Sequence, residues 1–331
     1  YDVTGITLNL YNQANRKSSK SCCAGKDIED AIKVAKQMNF PHYVLDYQNQ
    51  FFSSVIDNFV ESYANGETPV PCITCNQTVK FTDLLKVAKN KKIDALVTGH
   101  YIRRVGGQKN AKMFKAKDTK KDQSYFLFAT TREQLDFLRF PIGEYFKSEI
   151  REIAKQFSLS VQDKPDSQDI CFVTKDSYRT LIEKLKPESF IKGNIVNINR
   201  EIIGEHKGIV NYTIGQRKGV GIGGYTNPLY VIEIDKTNNL IVLGEKKHLE
   251  KTEVQIKDIN WFADNMNTYD PIHCSAKLRS TQKETPGTLI IKGKDATYTF
   301  DKKVATTSPG QACVFYLKDQ VLGGGWITKE H

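Results

Sequence analysis

The pattern of apolar and polar residues divides the chain into a first half that mixes helices and strands and a second half built of strands. Up to about residue 187, short apolar runs alternate with segments whose apolar residues recur every three or four positions. This alternation predicts a parallel sheet covered by helices. The predicted strands are at residues 3–10, 43–45 and 95–98, and the predicted helices at 28–35, 52–63, 79–89 and 150–157. A capping box, Thr131-Arg-Glu-Gln134, predicts a further helix start.

Short runs rich in β-branched residues, separated by turn residues, fill the chain after residue 187; examples are 195–198, 230–234, 240–243 and 312–316. Many short strands joined by turns are typical of small β-barrels. We therefore predict three domains, an α/β domain at 1–187 and small β domains at 188–250 and 251–331. The chain has two glycine-rich stretches. The first, at 215–224, fits either a cluster of turns or a loop that touches phosphate, and the second, at 322–326, is predicted to form turns.

Composition narrows the class of protein. Of 331 residues, 39% are hydrophobic and 26% are charged, as in ordinary globular proteins. No apolar run approaches the roughly 18 residues of a membrane helix, and no basic and apolar leader opens the chain. We therefore expect a cytoplasmic protein with no membrane partner. Seven cysteines are an odd and sparse set, which favours a reducing compartment and catalytic or metal-binding thiols over structural disulfides.

Positive charge is concentrated in one window. The chain has 48 Lys and Arg against 38 Asp and Glu, a net charge of +10. Residues 86–121 alone hold ten Lys and two Arg against two Asp, so this basic window carries the whole excess. It adjoins the cationic and aromatic stretch Lys121-Asp-Gln-Ser-Tyr-Phe126, which suits RNA because unstacked bases pack on aromatic rings. The alternative is a solvated basic surface without a partner.

Two cysteine motifs suit chemistry. The spacing Cys72-Ile-Thr-Cys75 fits a zinc knuckle or a redox pair, but no second pair of ligands follows, so no metal site is expected. Cys75 lies just ahead of the helix predicted at 79–89, and a helix N-terminus stabilises a thiolate. Cys171 follows a polar loop at 161–169 and fits a buried strand cysteine as well as a functional thiol.

A series of motifs along the whole chain resembles one family. The motifs are Cys75-Asn76 with Lys80-Phe81, Thr98-Gly-His-Tyr101, Lys121-Asp-Gln-Ser-Tyr-Phe126, Asp166-Ser-Gln-Asp-Ile-Cys171-Phe172, Gly204-Glu-His206, Thr213-Ile-Gly-Gln-Arg-Lys-Gly219 and Ser308-Pro-Gly-Gln311. Their order and spacing are similar to those of the bacterial tRNA-specific 2-thiouridylases. The resemblance implies a Rossmann-like, adenine-nucleotide α-hydrolase-type domain that binds ATP as N-type ATP pyrophosphatases do, followed by two small β-barrel domains.

The same resemblance implies an ATP-dependent sulfurtransferase. Members of the family thiolate C2 of uridine 34, the wobble position, in the tRNAs for Lys, Glu and Gln. ATP, with Mg²⁺ expected, adenylates O2 of the uracil, and a cysteine persulfide then delivers sulfur, giving 2-thiouridine, AMP and diphosphate. The sulfur comes from a donor protein, either a cysteine desulfurase or a sulfur relay.

Matched position by position, the resemblance implies roles for individual residues. Cys171 resembles the persulfide carrier and Cys75 its partner nucleophile, and the two are expected to pair in a disulfide when sulfur is released. Leu8 and Gly99 fall where the family contacts ATP. The expected tRNA contacts are His100, Lys121, Asp122, Gln123, Arg279, Ser280 and Gln311.

The chain departs from the family pattern at two places. The family's pyrophosphate-binding loop, Ser-Gly-Gly-Val-Asp-Ser, precedes the strand with which this chain opens at Tyr1, and we expect about thirty residues of a strand–loop–helix unit ahead of it. The chain as written is therefore expected to bind ATP weakly and to show little activity, and the complete protein to be active. Many members have Asp where this chain has Cys72, which removes a carboxylate and makes Cys72–Cys75 an alternative to the Cys75–Cys171 pair.

Two other classes of function stay open on the residues alone. A non-catalytic RNA-binding fragment fits the basic window and the absent ATP loop. A zinc-binding structural protein fits the Cys72-x-x-Cys75 spacing.

Overall fold

The computed structural model describes residues 1–11, 25–166, 169–173, 178–263, 270–305 and 308–329. The α-helices are α1 (Gly25–Gln37), α2 (Gln48–Phe51), α3 (Asp57–Ala64), α4 (Pro71–Cys75), α5 (Leu84–Asn90), α6 (Arg132–Phe137), α7 (Lys147–Gln156) and α8 (Tyr178–Leu185). The strands are β1 (Gly5–Asn9), β2 (His42–Asp46), β3 (Leu96–Val97), β4 (Ile102–Val105), β5 (Lys112–Lys115), β6 (Leu138–Arg139), β7 (Gly193–Val196), β8 (Ile202–His206), β9 (Tyr230–Asp235), β10 (Leu240–Gly244), β11 (Glu250–Trp261), β12 (Ile272–Lys277), β13 (Thr285–Lys292), β14 (Asp295–Ala305), β15 (Ala312–Leu317) and β16 (Gln320–Ile327). None of the helices in these ranges is long and apolar enough to cross a membrane.

The first half of the chain contains two parallel strand pairs together with helices, as the sequence pattern predicts. β1 runs parallel to β2, with Leu8 opposite Leu45. β3 runs parallel to β6 and forms a second pair. α1 connects β1 to β2, as expected for a crossover between parallel strands, and buries Ala35. The predicted capping box at the start of α6 is present, because the Thr131 and Gln134 side chains each accept the other residue's backbone N–H.

The helix that carries Cys75 begins earlier than predicted. α4 starts at Pro71, whose missing N–H suits the first helical turn. The helix continues through a π-helical segment, Asn76–Asp83, into α5, and the Leu84 N–H donates to the Val79 carbonyl five residues back. We call residues 71–90 the cysteine helix. Cys75 lies inside it, so the prediction that Cys75 lies ahead of a helix N-terminus is wrong.

Two β units make up the second half. β8, β7, β10 and β9 form a four-stranded sheet in that order. β11, β14, β13, β12, β15 and β16 form a six-stranded barrel, which pairing between β16 and β11 closes. Tyr298 and Phe315 stack inside this barrel with ring centroids 5.8 Å apart. The predicted strands of this half are thus present, and the barrel architecture is confirmed.

A hairpin from the first half extends the sheet of the barrel. β4 and β5 pair with each other, and Phe114 on β5 pairs with Gln320 on β16. The core beneath the hairpin is shared, because Ile73 of the cysteine helix belongs to the same apolar cluster as Val314 of the barrel. The α/β half and the barrel therefore do not have separate cores.

The glycine-rich stretch at 322–326 lies in a strand, and the prediction of turns there is wrong. β16 runs between β15 and β11 and is largely buried. A Cβ on Gly323 would lie 2.3 Å from the Asn260 carbonyl oxygen, and one on Gly324 would lie 2.7 Å from the Phe128 ring. Close approach of neighbouring chains therefore explains these glycines.

Candidate active site

Three residues that are far apart in the sequence belong to one apolar cluster of the first half. Cys75 is a buried member, and Leu8 and Cys171 pack against it half-buried. Phe51 and Phe59 supply aromatic rings to the same cluster. We call this group the cysteine cluster. The structure thus brings both predicted cysteines and one predicted ATP contact into one region.

Cys75 is held as a buried thiol. It is 7% exposed, and burial raises the pKa of the Cys75 thiol, an effect that the Lys80 ammonium partly opposes. The sequence predicts that a helix N-terminus stabilises a Cys75 thiolate. In this structure the raised pKa favours the neutral thiol instead, so that prediction is wrong. Cys72, three residues earlier, is exposed, and no disulfide joins cysteines within the described ranges.

Cys171 lies in a turn, which excludes the buried-strand alternative. The Val173 N–H donates to the Ile170 carbonyl and closes this turn. Phe172 is buried and packs edge-on against Phe51 at a ring-centroid distance of 5.7 Å. The aromatic contact anchors the turn, so that Cys171 is held at the edge of the cysteine cluster.

Gly99 follows the end of β3, where ligands bind in parallel α/β sheets. Its backbone is open: a Cβ there would meet only the Ile142 side chain, at 3.8 Å. A nucleotide can approach an open glycine backbone closely. Gly99 therefore fits the ATP contact expected of it.

His100 is held as a neutral ring. Its Nδ1 lies 2.9 Å from the Thr98 hydroxyl, and its ring is edge-on to Phe81 and Phe140 at 5.8 and 6.5 Å. Burial, together with the nearby Lys80 ammonium, lowers the pKa of His100 to about 3. His100 therefore offers an uncharged imidazole to its expected tRNA contact.

Lys121 connects the basic window to the segment that leads to Cys171. Its ammonium donates to the Asp166 carboxylate at 2.7 Å, and Lys147 lies 3.2 Å from the other oxygen of that carboxylate. The hydrogen bond raises the pKa of Lys121 and lowers the pKa of Asp166. Lys121 thus stabilises the start of the motif at 166–172, of which residues 167 and 168 lie outside the described ranges.

Asp122 and Gln123 hold the backbone of the same region. The Asp122 carboxylate accepts hydrogen bonds from the Ala116 N–H at 3.0 Å and from the Ser124 hydroxyl at 2.7 Å. Gln123 Oε1 accepts the Tyr101 N–H at 2.9 Å, and the Gln123 N–H donates to the Tyr101 carbonyl at 3.0 Å. Gln123 therefore positions the loop after β3, whereas Asp122 holds the chain that follows β5.

Ser280, which follows Arg279 in the sequence, lines a groove that also reaches the basic window. The groove has a volume of about 620 Å³ and is lined by Thr119, Lys120, Asp122, Lys277 and residues 280–284. Its polar walls and lysines suit a phosphate backbone. The structure thus brings two of the expected tRNA-binding segments together, at a distance from the cysteines, which do not line the groove.

The glycine-rich stretch at 215–224 is an irregular loop beside Arg279. Gly215, Gly219, Gly221 and Gly224 have φ between 75° and 86°, a backbone conformation that favours glycine. A Cβ on Gly215 would lie 3.6 Å from the Arg279 guanidinium. The start of the loop, at Gly215, therefore lies against Arg279.

Gln311 connects the barrel to the entry of the cysteine helix. Its side-chain amide donates to the Thr68 carbonyl at 2.8 Å. The Thr68 N–H in turn donates to the Pro309 carbonyl at 2.8 Å. Thr68 lies three residues before Pro71, the first residue of α4. The barrel loop therefore fixes the direction in which the chain enters that helix.

Carboxylates from outside the basic window neutralise much of its charge. Seven of its twelve cations form ion pairs in the described structure. Their partners are Asp83, Glu133, Asp319, Asp136, Glu284, Glu149 and Asp166. The basic window is a run of positive charge in the sequence. In the folded protein it is not one unpaired cationic surface, because more than half of its cations form ion pairs.

Asn76 and Lys80 are residues to which sequence reasoning gave no role. Both lie on the π-helical segment that follows Cys75. Asn76 is 4% exposed; its Nδ2 donates to the Phe126 carbonyl at 3.2 Å, and its Oδ1 has no partner in the described structure. Their position relative to Cys75 depends on a wide helical turn, which a 3.6-residue period does not reveal.

Metal-binding side chains do not gather in the part of the chain that the structure describes. No group of three or more His, Cys, Asp or Glu residues there has the arrangement of a metal site. The adjacent Cys22 and Cys23 lie outside the described ranges.

Models of protein families match the chain in three consecutive segments. A model described as a tRNA methyl transferase HUP domain matches residues 1–175. One described as a tRNA methyl transferase PRC-barrel domain matches 179–245, and one described as an aminomethyltransferase beta-barrel domain matches 251–327. These matches and the observed sheets confirm the predicted fold class, a Rossmann-like domain followed by two small β-barrel domains.

Relatives in Rickettsia match over nearly their whole length. The chain is 49% identical over 330 residues to the tRNA-specific 2-thiouridylase MnmA of Rickettsia prowazekii (strain Madrid E), which covers 99% of this chain and 92% of the relative. It is 50% identical over 334 residues to the protein of that name from Rickettsia typhi, with 99% and 92% covered. For Rickettsia conorii the identity is 48% over 332 residues, with 100% and 90% covered. The chain therefore belongs to the family of tRNA-specific 2-thiouridylases, sulfurtransferases that modify tRNA.

Proposed function

We propose that this protein thiolates C2 of uridine 34, the wobble uridine, in the tRNAs for Lys, Glu and Gln. It would use ATP with Mg²⁺, and sulfur from a persulfide-carrying donor protein. The observation that carries the proposal is the cysteine cluster, where Cys75 and Cys171 share one apolar environment with Leu8 of β1. Two thiols from distant parts of the sequence at one site suit a stepwise transfer of sulfur.

The oxygen at C2 must first become a leaving group, because a uracil carbonyl is a poor electrophile. Adenylation achieves this: O2 bonds to the α-phosphorus of ATP, and diphosphate leaves. The terminal sulfur of a Cys171 persulfide then bonds to C2, and the C2–O2 bond breaks as AMP leaves. Gly99, with its open backbone after β3, and Leu8 are the proposed ATP contacts.

Cys75 is the proposed nucleophile that completes the transfer. A Cys75 thiolate attacks Sγ of Cys171, the electron pair of the persulfide bond leaves with the sulfur on C2, and a Cys75–Cys171 disulfide forms. An external thiol then reduces that disulfide. Cys72 lies three residues from Cys75 on one helix, so Cys72–Cys75 is the competing pair.

The groove lined by Lys120, Asp122 and Ser280 is the proposed tRNA-binding surface. Its lysines suit phosphate contacts, and its position between the basic window and the barrel allows a folded RNA to touch both. Lys121, Asp122, Gln123 and Gln311, whose side chains are bonded within the protein, would act mainly by holding the loops that meet tRNA. His100 would meet it as a neutral ring.

A non-catalytic RNA-binding fragment is not favoured. The HUP-domain match and the matches to 2-thiouridylases cover the α/β half together with both β units. A module that only binds RNA would not need the pair of thiols in the cysteine cluster.

Cysteine variants test the proposal by separating its two steps. The full-length protein is incubated with ATP, a persulfide-loaded donor and unmodified tRNA, and both adenylated tRNA and 2-thiouridine are measured. We expect Cys171→Ser and Cys75→Ser to abolish thiolation and to retain adenylation. Cys274→Ala, in the barrel, is the matched control and should leave both steps intact. Full thiolation by Cys171→Ser would contradict the persulfide assignment.

A further inference from the structure

Lys80 is a half-buried cation beside the cysteine cluster that lacks a carboxylate partner. Within the described residues, its ammonium makes neither a hydrogen bond nor an ion pair. Lys86, on the same helix, is by contrast exposed and lies 3.8 Å from Asp83. Removing an ammonium from water without a counter-ion costs free energy. The Lys80 ammonium is therefore available to pair with an anion that forms nearby.

The π-helical segment sets the position of Lys80 on the helix relative to Cys75. In an α-helix, residues i and i+5 lie on different faces, because one turn takes 3.6 residues. The i→i+5 bonding of a π segment brings residue i+5 over residue i. The Thr82 hydroxyl repeats this spacing, since it donates to the Gln77 carbonyl at 2.6 Å. Lys80 is residue i+5 relative to Cys75, the residue that precedes the segment.

The electrostatic surroundings single out Lys80 among the neighbours of Cys75. Burial raises the pKa of Cys75, the Lys80 ammonium lowers it, and a Cys72 thiolate would raise it. The ring of His100, whose pKa the Lys80 ammonium also lowers, is neutral, so it neither competes for the anion nor repels the cation. Among the described residues, Lys80 is therefore the group that favours a thiolate at Cys75.

We propose that Lys80 is the counter-cation of the Cys75 thiolate and a positioning residue for sulfur transfer. This inference rests on the role proposed above for Cys75. When the thiol loses its proton to solvent, the ammonium stabilises the resulting thiolate inside an apolar cluster. The wide turn of the helix supplies a charge that the helix N-terminus, at Pro71, does not supply to a residue this far along.

The pH dependence of Cys75 alkylation by iodoacetamide tests the proposal without an activity assay. The full-length protein is alkylated across a pH series, and peptide fragmentation separates Cys75 from Cys72. We expect Lys80→Met to raise the midpoint by about one pH unit and to slow alkylation at pH 8 about tenfold. Lys80→Arg should keep the wild-type midpoint. Lys86→Met, which removes a cation elsewhere on the same helix, is the matched control and should change nothing.

An unchanged midpoint in Lys80→Met would overturn the proposal. A loosened helix would move the midpoint in the opposite direction, because exposure of Cys75 removes the desolvation that raises its pKa. Structural damage is therefore distinguishable from loss of the charge.

In a thiolation assay we expect Lys80→Met to lower kcat about tenfold with an unchanged KM for tRNA. A raised KM at unchanged kcat would instead make Lys80 a phosphate contact and would also overturn the proposal. If the wild type makes no 2-thiouridine, the proposed function fails, whereas the alkylation result stands by itself.

Discussion

The surroundings of a side chain can keep it uncharged, and the buried ring of His100 is the clearest example. Its folded-state pKa of about 3 lies below the ordinary value of 6.5. As the pH falls below about 6.5, the unfolded chain binds a proton here that the folded protein does not bind. We therefore expect His100 to contribute stability that is present above pH 6.5 and is lost progressively as the pH falls toward 3.

Urea unfolding at pH 7 and pH 5 measures this contribution. His100→Gln, which does not titrate, should lose less free energy of unfolding between the two pH values than the wild type does. His273→Asn removes an exposed histidine of the barrel and is the control, with a loss equal to that of the wild type. An equal loss in His100→Gln and wild type would show that the ring titrates normally.

Neighbouring groups pack so closely against strand β16 that its glycines leave no room for a Cβ. A Cβ on Gly324 would lie 2.7 Å from the Phe128 ring and 2.8 Å from the Cys313 carbonyl oxygen. We expect Gly324→Ala to lower the free energy of unfolding by about 1–3 kcal/mol, the usual cost of overpacking. Gly223→Ala, where a Cβ would meet nothing within 4 Å, is the matched control and should be close to neutral. Equal stabilities of the two variants in urea unfolding would refute this explanation of the strand.

Elements that obey a regular period could be predicted from the sequence, and those set by tertiary contact could not. The helix start at Thr131 and the strands of the barrel follow from capping and alternation. The hairpin of β4 and β5 was missed because its charged residues bond within the protein: Arg103 Nε donates to the Lys115 carbonyl at 2.7 Å. The π-helical segment was missed because a helical period of 3.6 residues does not describe it.

The candidate site shows the same division. Motif resemblance selected Cys75 and Cys171, and the structure places both in one cluster. Motif resemblance did not reveal that Gln311 bonds to Thr68 or that Lys121 is paired with Asp166, because the two partners in each pair are distant in the sequence. Local charge counting likewise could not show that carboxylates from elsewhere fold onto the basic window.

At the scale of the whole molecule, the shared core predicts cooperative unfolding. The cluster that contains Ile73 also contains Val314, so the barrel cannot unfold without exposing the cysteine helix. The two tryptophans, Trp261 and Trp326, lie in barrel strands. The α-helices of the described ranges lie between residues 25 and 185.

Two spectroscopic probes can therefore follow the two parts separately. Tryptophan fluorescence reports on the barrel, and circular dichroism at the helical band reports on the α/β half. We expect the two urea transitions to coincide, as in a single cooperative unit. Separate midpoints would show that the barrel and the α/β half are independently stable.

The most direct test of the central claim follows labelled sulfur into tRNA. The full-length protein receives ATP, unmodified tRNA and a donor protein whose persulfide carries isotopically labelled sulfur, and the nucleosides of the digested tRNA are analysed by mass spectrometry. The account predicts labelled 2-thiouridine that requires ATP and disappears in Cys171→Ser. Unlabelled uridine throughout, or labelled 2-thiouridine formed by Cys171→Ser at the wild-type rate, would contradict it.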